Sequence, residues 1–338
     1  MLKRVDYMHG RDSRHRWLTA AVWTGLVLEV AVACAVFVVQ LHAVPTTPLT
    51  LALGAFPELL LFVAAILGVV TVILGVASRR RVLGVLASIL LAVIVAGGFA
   101  FAVNRSPLAT TVKKPTGQQL RVLSWNTNQQ AVSVGQLRSV IHSTKPNIVA
   151  LPEYFPQIAE RSLAELAREE HMTILGSENS SATVLVSEAL GDYRIVDRDT
   201  TPAWAGVVIA PRGGEVPPLL VAHLQRASFS SSATWSDHLR WVQSECNKRP
   251  GLIAVGDFNA VNANFGSQSL GRCSDVAADL DLQSTGTWPS FLPASLGAAI
   301  DHVMVSGRWT PVSYSVLSGE STGGSDHRPI FVVLRDGG

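Results

Sequence analysis

Eight polar residues fall where the chain could assemble phosphoryl chemistry. Asn126 follows the apolar run LRVLS, Glu153 follows VALP, and His223 closes LLVAH. Asp257 and Asn259 sit in AVGDFNA, Asp301 opens DHVMV, and Asp326 with His327 precede PIFVVL. This inventory holds carboxylates, carboxamides and histidines, with no cysteine and no His-x-x-x-His pair that would suggest zinc. Hard oxygen ligands of this kind suit Mg²⁺ or Mn²⁺. Hydrolysis of a phosphoester or anhydride builds negative charge on non-bridging oxygens, so a metal and a cationic imidazole aimed at them lower the barrier. A carboxylate beside His327 would keep it protonated, whereas Asp257 must stay ionised to act on water.

Each group stands at the end of a short Val-, Ile- and Leu-rich run, the composition of strands buried on at least one face. From residue 120 onward such runs alternate with helix-like segments near 134–143, 157–170 and 234–247. Many strands with interspersed helices predict an α/β fold of two packed sheets flanked by helices, because each sheet must cover its apolar faces. Alternative readings stay beside the catalytic one. GDFN forms turns readily, SDHRP also suits a polar loop, and His223 alone could be a satisfied core histidine. His302 reads as structural or as part of a rim. Trp235, His238 and Trp241, at spacings of three, read as a core stripe rather than a substrate platform, and 227–232 (ASFSSS) as a flexible rim loop.

WN, VALPE, the strand ending in His223, GDFN, ID and SDH, in this order over residues 120–338, resemble the endonuclease/exonuclease/phosphatase superfamily. As a set they are specific; a lone GDFN or SDH would be weak. The resemblance implies a DNase I-like four-layer α/β sandwich. It implies further that Glu153 holds the metal with Asn126 and Asp326, and that Asp257 orients or deprotonates the attacking water. Asn259 and His223 would grip the phosphoryl oxygens, while His327, paired with Asp301, would face the scissile phosphate. Ala299, where many nuclease members carry Arg, and Pro152, where Gln is common, weaken any transfer of nuclease specificity.

The chain is 48% hydrophobic and only 15% charged, and the excess lies in residues 1–104. Apolar stretches at about 17–40, 58–77 and 82–103 each have the length to cross a hydrocarbon core of roughly 30 Å. Residues 104–119 have linker composition, leaving 120–338 as the catalytic part. Lys3, Arg4, Arg11, Arg14 and Arg16 precede the first stretch, and Arg79, Arg80 and Arg81 separate the second from the third. This distribution puts the basic terminus 1–16 in the cytoplasm and, after three crossings of the cell membrane, the catalytic part outside it. Glu29 is mid-span, either in a polar path or as a protonated packing residue; Glu58 is at a span end. Cys246 and Cys273 can bridge in an oxidising compartment or remain two buried thiols.

Beyond residue 104 acidic side chains outnumber basic ones by two, which disfavours nucleic acid as a partner. Location therefore points to phosphates of the lipid bilayer. The layout is similar to VanJ-type undecaprenyl-diphosphate phosphatases, implying a lipid-linked phosphate such as a polyprenyl diphosphate as substrate. A surface nuclease, a phospholipase C-like phosphodiesterase and an inactive membrane scaffold or sensor are the alternatives; the oligomeric state is not legible. A reporter that works only outside the cytoplasm, fused after Gly338, is expected to be active; a silent reporter would mean a miscounted crossing.

Overall fold

The computed structural model describes Trp17, residues 19–31 and 55–77, isolated positions from 82 to 93, and 119–337 apart from 214, 229, 266–268 and 318–322. The chain divides into two compact units. In the first, helix α1 (Thr19–Ala31) and helix α2 (Pro57–Ala77) are apolar. Within α2, Leu59–Ala77 is long and apolar enough to cross a membrane, matching the second expected span; α1 is shorter. The rest of the first expected span, most of the third, Cys34 and residues 104–118 lie outside the described residues.

The two helices approach closely at Gly25, where a Cβ would lie 2.3 Å from Thr71 Oγ1, the small-residue contact common between membrane helices. Glu29, one turn further along the same face of α1, is fully buried, and its carboxyl oxygens have no partner among the described residues. That position favours the packing reading.

In the second unit the strands, in chain order, are β1 (Gln119–Ser124), β2 (Ile148–Pro152), β3 (Met172–Leu175), β4 (Ala182–Ser187) and β5 (Tyr193–Val196). There follow β6 (Gly206–Pro211), β7 (Leu219–His223), β8 (Ile253–Asp257), β9 (Ser269–Leu270), β10 (Cys273–Asp275), β11 (Asp301–Ser306), β12 (Trp309–Val316) and β13 (Ile330–Asp336). They form a six-stranded sheet, order β12-β13-β1-β2-β4-β3, and a seven-stranded sheet, order β5-β6-β7-β8-β11-β10-β9. The pairs β1–β2 and β7–β8 are parallel, and the other pairings antiparallel.

Side-chain alternation sorts these strands into layers. Val122, Ile148 and Val184 of one sheet meet Val207, Val221, Val255 and Val303 of the other in a central core. The opposite face of the first sheet packs Leu123, Val149 and Leu185 under helix α3 (Val134–Thr144) and the short helices α4 (Pro156–Ser162) and α5 (Ala164–Glu169). The opposite face of the second packs Leu220, Ala254 and Met304 under helix α6 (Ser232–Lys248). The result is an α/β sandwich of two sheets with helices on both outer faces.

Local sequence explains the helix limits. Ser133 and Gln136 form a reciprocal capping box at the start of α3, and Lys145 ends it in the left-handed region at φ 49°. The single charged helix expected over 157–170 is two helices meeting at Leu163, fully buried at φ −102°, ψ 0°. Strands β5, β9 and β10 were not legible, since each has only two to four residues and β5 carries Arg194. Trp235, His238 and Trp241 are buried, as a core stripe requires. In the rim segment Ser228 and Ser231 share a 2.6 Å hydroxyl contact, and Ser231 donates to the Arg226 carbonyl at 2.6 Å.

Cys246 of α6 and Cys273 of β10 form a disulfide, with Cα atoms 5.5 Å apart and both residues fully buried. It pins the outer helix to the sheet across a separation of 27 residues. Cys246→Ser is expected to lower stability by about 3–4 kcal/mol. Urea unfolding of the full chain with and without reductant checks this: wild type should shift to lower urea on reduction, and the variant should not.

Candidate active site

Strand register assembles the site. On neighbouring strands His223 of β7 lies opposite Asp257 of β8, and Asp257 lies opposite Asp301 of β11. In the other sheet, Asn126 and Glu153 follow the parallel neighbours β1 and β2, while Asp326 and His327 precede β13, which flanks β1 on its other side. Side-chain bonds join the two sheets here: Asn126 Nδ2 donates to Asp257 Oδ2 at 2.9 Å, and His327 Nδ1 lies 2.9 Å from Asp301 Oδ2. All eight expected residues thus stand at one end of the sandwich.

Backbone geometry is specialised at these positions. Gly256, just before Asp257, has φ 136°, and a Cβ there would lie 2.1 Å from the Ala222 carbonyl oxygen, so only glycine fits. Glu153 and Asn259 occupy the left-handed region at φ 57° and 46°. Such conformations cost free energy in a non-glycine residue and concentrate at functional sites.

Two clusters share Asp257. In one, ligand atoms of Glu153, His223 and Asp257 all lie within 4.8 Å of one another; in the other, those of Asp257, Asp301 and His327 do. Glu153 accepts from Asn126 Nδ2 at 3.1 Å and from the Gln129 N–H at 3.1 Å, and its Oε1 is 3.4 Å from His223 Nε2. Burial alone would raise its pKa, but the hydrogen bonds from His223 and Asn126 and the charges of His223 and His327 bring it down to about 2. Asp257 is buried, and desolvation raises its pKa; His327 and His223 oppose that rise, while Asp301 adds to it. Burial would depress His327, yet Asp301, Asp257 and Asp326 together lift it to about 9. The first cluster offers two carboxylates and an imidazole nitrogen at spacings one divalent cation can bridge, so the residues fit a metal.

Three of the expected residues are engaged with neighbouring groups in this arrangement. Asn126 Oδ1 accepts from the Asn128 N–H at 2.9 Å, so its NH₂ faces the carboxylates. Asp326 stands outside both clusters, its Oδ2 accepting from the Trp288 indole at 2.9 Å. Asn259 donates its backbone N–H to Asp257 Oδ1 at 2.8 Å and its amide to Leu224 O at 2.9 Å and Asp257 Oδ2 at 3.4 Å. It thus helps to fix the Asp257 carboxylate. His302 is structural: Nδ1 lies 2.9 Å from Asp275 Oδ2 and Nε2 2.8 Å from Ala260 O, between Phe258 and Phe265.

Other contributors stand outside the residues expected from the sequence. Ser325 donates to Asn126 O at 2.6 Å and accepts from the His327 N–H at 2.9 Å. Buried Arg328 donates to the carbonyls of Gly286, Pro289, Ser290 and Leu292, holding the loop that carries Trp288. Ser181 Oγ lies 2.6 Å from His223 Nδ1. Arg328 directly follows SDH and could have been suspected; Ser181 sits in an ordinary polar turn.

The Endonuclease/Exonuclease/phosphatase family model matches residues 123–327, and the chain belongs to that family. It is accordingly a metal-dependent hydrolase of phosphoester bonds. No curated protein matches the sequence. A humanised D. rerio TDP2 with 14 mutations is 19% identical, covering 64% of this chain and 99% of its own, with a TM-score of 0.51. The endonuclease/exonuclease/phosphatase from Bacteroides vulgatus is 13% identical, covering 65% and 99%, with a TM-score of 0.50. These likenesses show the fold.

A group whose pKa is raised keeps its proton below that value and loses it above, so the His327 cation is present until pH rises through about 9. The pH–rate profile on a chromogenic phosphate ester should fall on its alkaline side near there, and Asp301→Asn should move that limb to lower pH. A limb unmoved by Asp301→Asn would assign it to another group.

Proposed function

We propose that this protein is a membrane-anchored phosphatase of the VanJ type, with its catalytic unit outside the cytoplasm, hydrolysing a lipid-linked phosphate such as a polyprenyl diphosphate with Mg²⁺ or Mn²⁺. The observation that carries this reading is the presence, on one chain, of a phosphoester-hydrolase fold and the membrane-length apolar helix Leu59–Ala77. A tether raises the effective concentration of bilayer phosphates around the site. Two exposed aromatic side chains add to it. Trp204 is 55% exposed and its carbonyl accepts from Ser181, the neighbour of His223; Phe291 is 82% exposed and follows Ser290, whose N–H donates to Asp326 O at 2.7 Å. Exposed aromatic side chains on segments tied to the site suit a substrate with a hydrocarbon chain.

In this reading a bound cation supplies Lewis-acid charge to a phosphoryl oxygen. Asp257, made more basic by burial and Asp301, takes a proton from the attacking water, with Asn259 holding its carboxylate in line. The His327 imidazolium, held by Asp301, stabilises charge on the leaving phosphate.

The test is full-length protein in detergent with Mg²⁺, offered polyprenyl diphosphate, phospholipid and plasmid DNA in parallel. Phosphate release from the diphosphate is expected, with Asp257→Ala and His327→Ala each lowering kcat by about 10²–10⁴-fold. Rapid DNA cleavage without lipid turnover would overturn the substrate; no metal-dependent turnover of any of the three would favour a scaffold.

A further inference from the structure

Residues 282–300 of the catalytic unit, between Asp281 and Asp301, contain no charged side chain. Within them 289–297 is a closed loop, because Trp288 and Ala298 exchange both backbone bonds, at 3.0 and 2.6 Å. Its tip is apolar. Phe291 is 82% exposed, and Leu292, Pro293, Ala294 and Leu296 beside it are each at least partly exposed. We propose that this loop is a bilayer-contacting finger, entering the lipid interface with Phe291 at its tip and braced from behind by Arg328. The assignment rests on the membrane-anchored reading of the chain, and not on the choice of substrate.

The brace sets this loop apart. A lone exposed phenylalanine is ordinary on a protein in water, where loop carbonyls are hydrated and need no protein partner. In a lipid interface an unpaired backbone group costs free energy, so a loop that enters must bond its own groups from within. Most of this tip is bonded so. The buried Arg328 guanidinium donates to the carbonyls of Pro289 at 3.3 Å, Ser290 at 2.8 Å and Leu292. The carbonyl of Pro293 accepts from the Leu296 N–H at 2.9 Å, and that of Ala294 from the Gly286 N–H at 2.8 Å. Pro289 and Pro293 have no N–H to satisfy, while Ser290 donates to Asp326 O and Leu292 to Pro289 O. Burying a cation is costly, and a cation set behind loop carbonyls answers a need that arises when those carbonyls leave water.

The rest of the chain names the occupant. In the anchored reading residues 104–118 tie the catalytic unit to the last apolar stretch, and even fully extended they reach only about 50 Å. A bilayer is then the one apolar phase always within reach. No charge has to be dehydrated when 282–300 meets it, and phenylalanine and leucine are the side chains that bury at the headgroup boundary.

The test uses the full chain with Cys34→Ser, so that the remaining native cysteines are the disulfide pair, in nanodiscs of phosphatidylcholine and phosphatidylglycerol holding one copy each. A nitroxide is attached at Phe291→Cys, at Ile66→Cys within Leu59–Ala77, or at Glu215→Cys as a control. Glu215 is exposed between β6 and β7, at the end of the sheet away from His223. Power-saturation electron paramagnetic resonance reads collisions with oxygen, which concentrates in lipid, and with a water-soluble nickel chelate. Oxygen should dominate at 66 and 291, and the chelate at 215. Arg328→Met, and Arg328→Lys, which keeps the charge but not the planar fork, should raise chelate collisions at 291. Thermal melts show that each variant is folded. Chelate access at 291 equal to that at 215, with 66 still in hydrocarbon, would overturn the finger and leave the anchor. A label at 291 shielded from both reagents would mean a protein contact and would overturn it as well. Chelate access at 66 would overturn the anchored reading and the finger together. A label that stays as deep in folded Arg328→Met and Arg328→Lys would overturn the brace.

Discussion

His223, Asp257 and Asp301 stand side by side because three strands are locked in one register. Strand side chains alternate faces, so a slip of one residue in β8 would turn Asp257 away from its partners. The slip is prevented by apolar packing on both faces. Ile253 and Val255 belong to the central core, whereas Leu252 and Ala254 belong to the core under α6. Exchanging them would disturb two cores at once. The position of the proposed base is thus held by side chains with no chemistry of their own.

That register places two buried carboxylates beside one imidazole, an arrangement stable only as a set. Taking a charge out of water is costly unless it is paired. Asp257 is satisfied by Asn126 and Asn259, and Asp301 Oδ2 by His327, but Asp301 Oδ1 is buried with no partner among the described residues. The His327 cation is therefore part of the electrostatic support of both aspartates. The same proton that balances the carboxylates in the folded chain is the charge proposed to meet the phosphate. Structural and catalytic demands coincide in this one side chain.

The sequence made the sites of chemistry legible and left their orientation hidden. A polar residue at either end of an apolar run marks a strand end, and the eight residues at such ends share one end of the sandwich. Which groups a side chain engages depends on contacts distant in sequence: Asn126 reaches Glu153 and Asp257, and Asp326 is engaged by an indole 38 positions earlier in the chain. Ser181 escaped notice for the same reason, since its partner His223 is 42 positions away. The longer strands were readable from their apolar runs or alternation, while β9 has too few residues to show a period. Among the expected spans, Leu59–Ala77 is supported, and the stretches around it fall largely outside the described residues.

A fold shared by many phosphoester hydrolases does not choose a substrate; the site and its surroundings do. Here the catalytic cluster recognises what all phosphoryl substrates share, namely anionic oxygens and a leaving group needing a proton or a positive neighbour. Discrimination must come from outside that cluster. The slight acidic surplus beyond residue 104 removes the broad electrostatic attraction on which nucleic-acid binding depends. Trp204, whose carbonyl accepts from Ser181, and Phe291, next to Ser290, are exposed aromatics on segments tied to the site. For a phosphate carried on a hydrocarbon chain, exposed aromatics would offer contact along the part of the molecule that a cation and an imidazolium do not touch, and the proposed lipid substrate rests on that chemistry together with the apolar helix of the same chain.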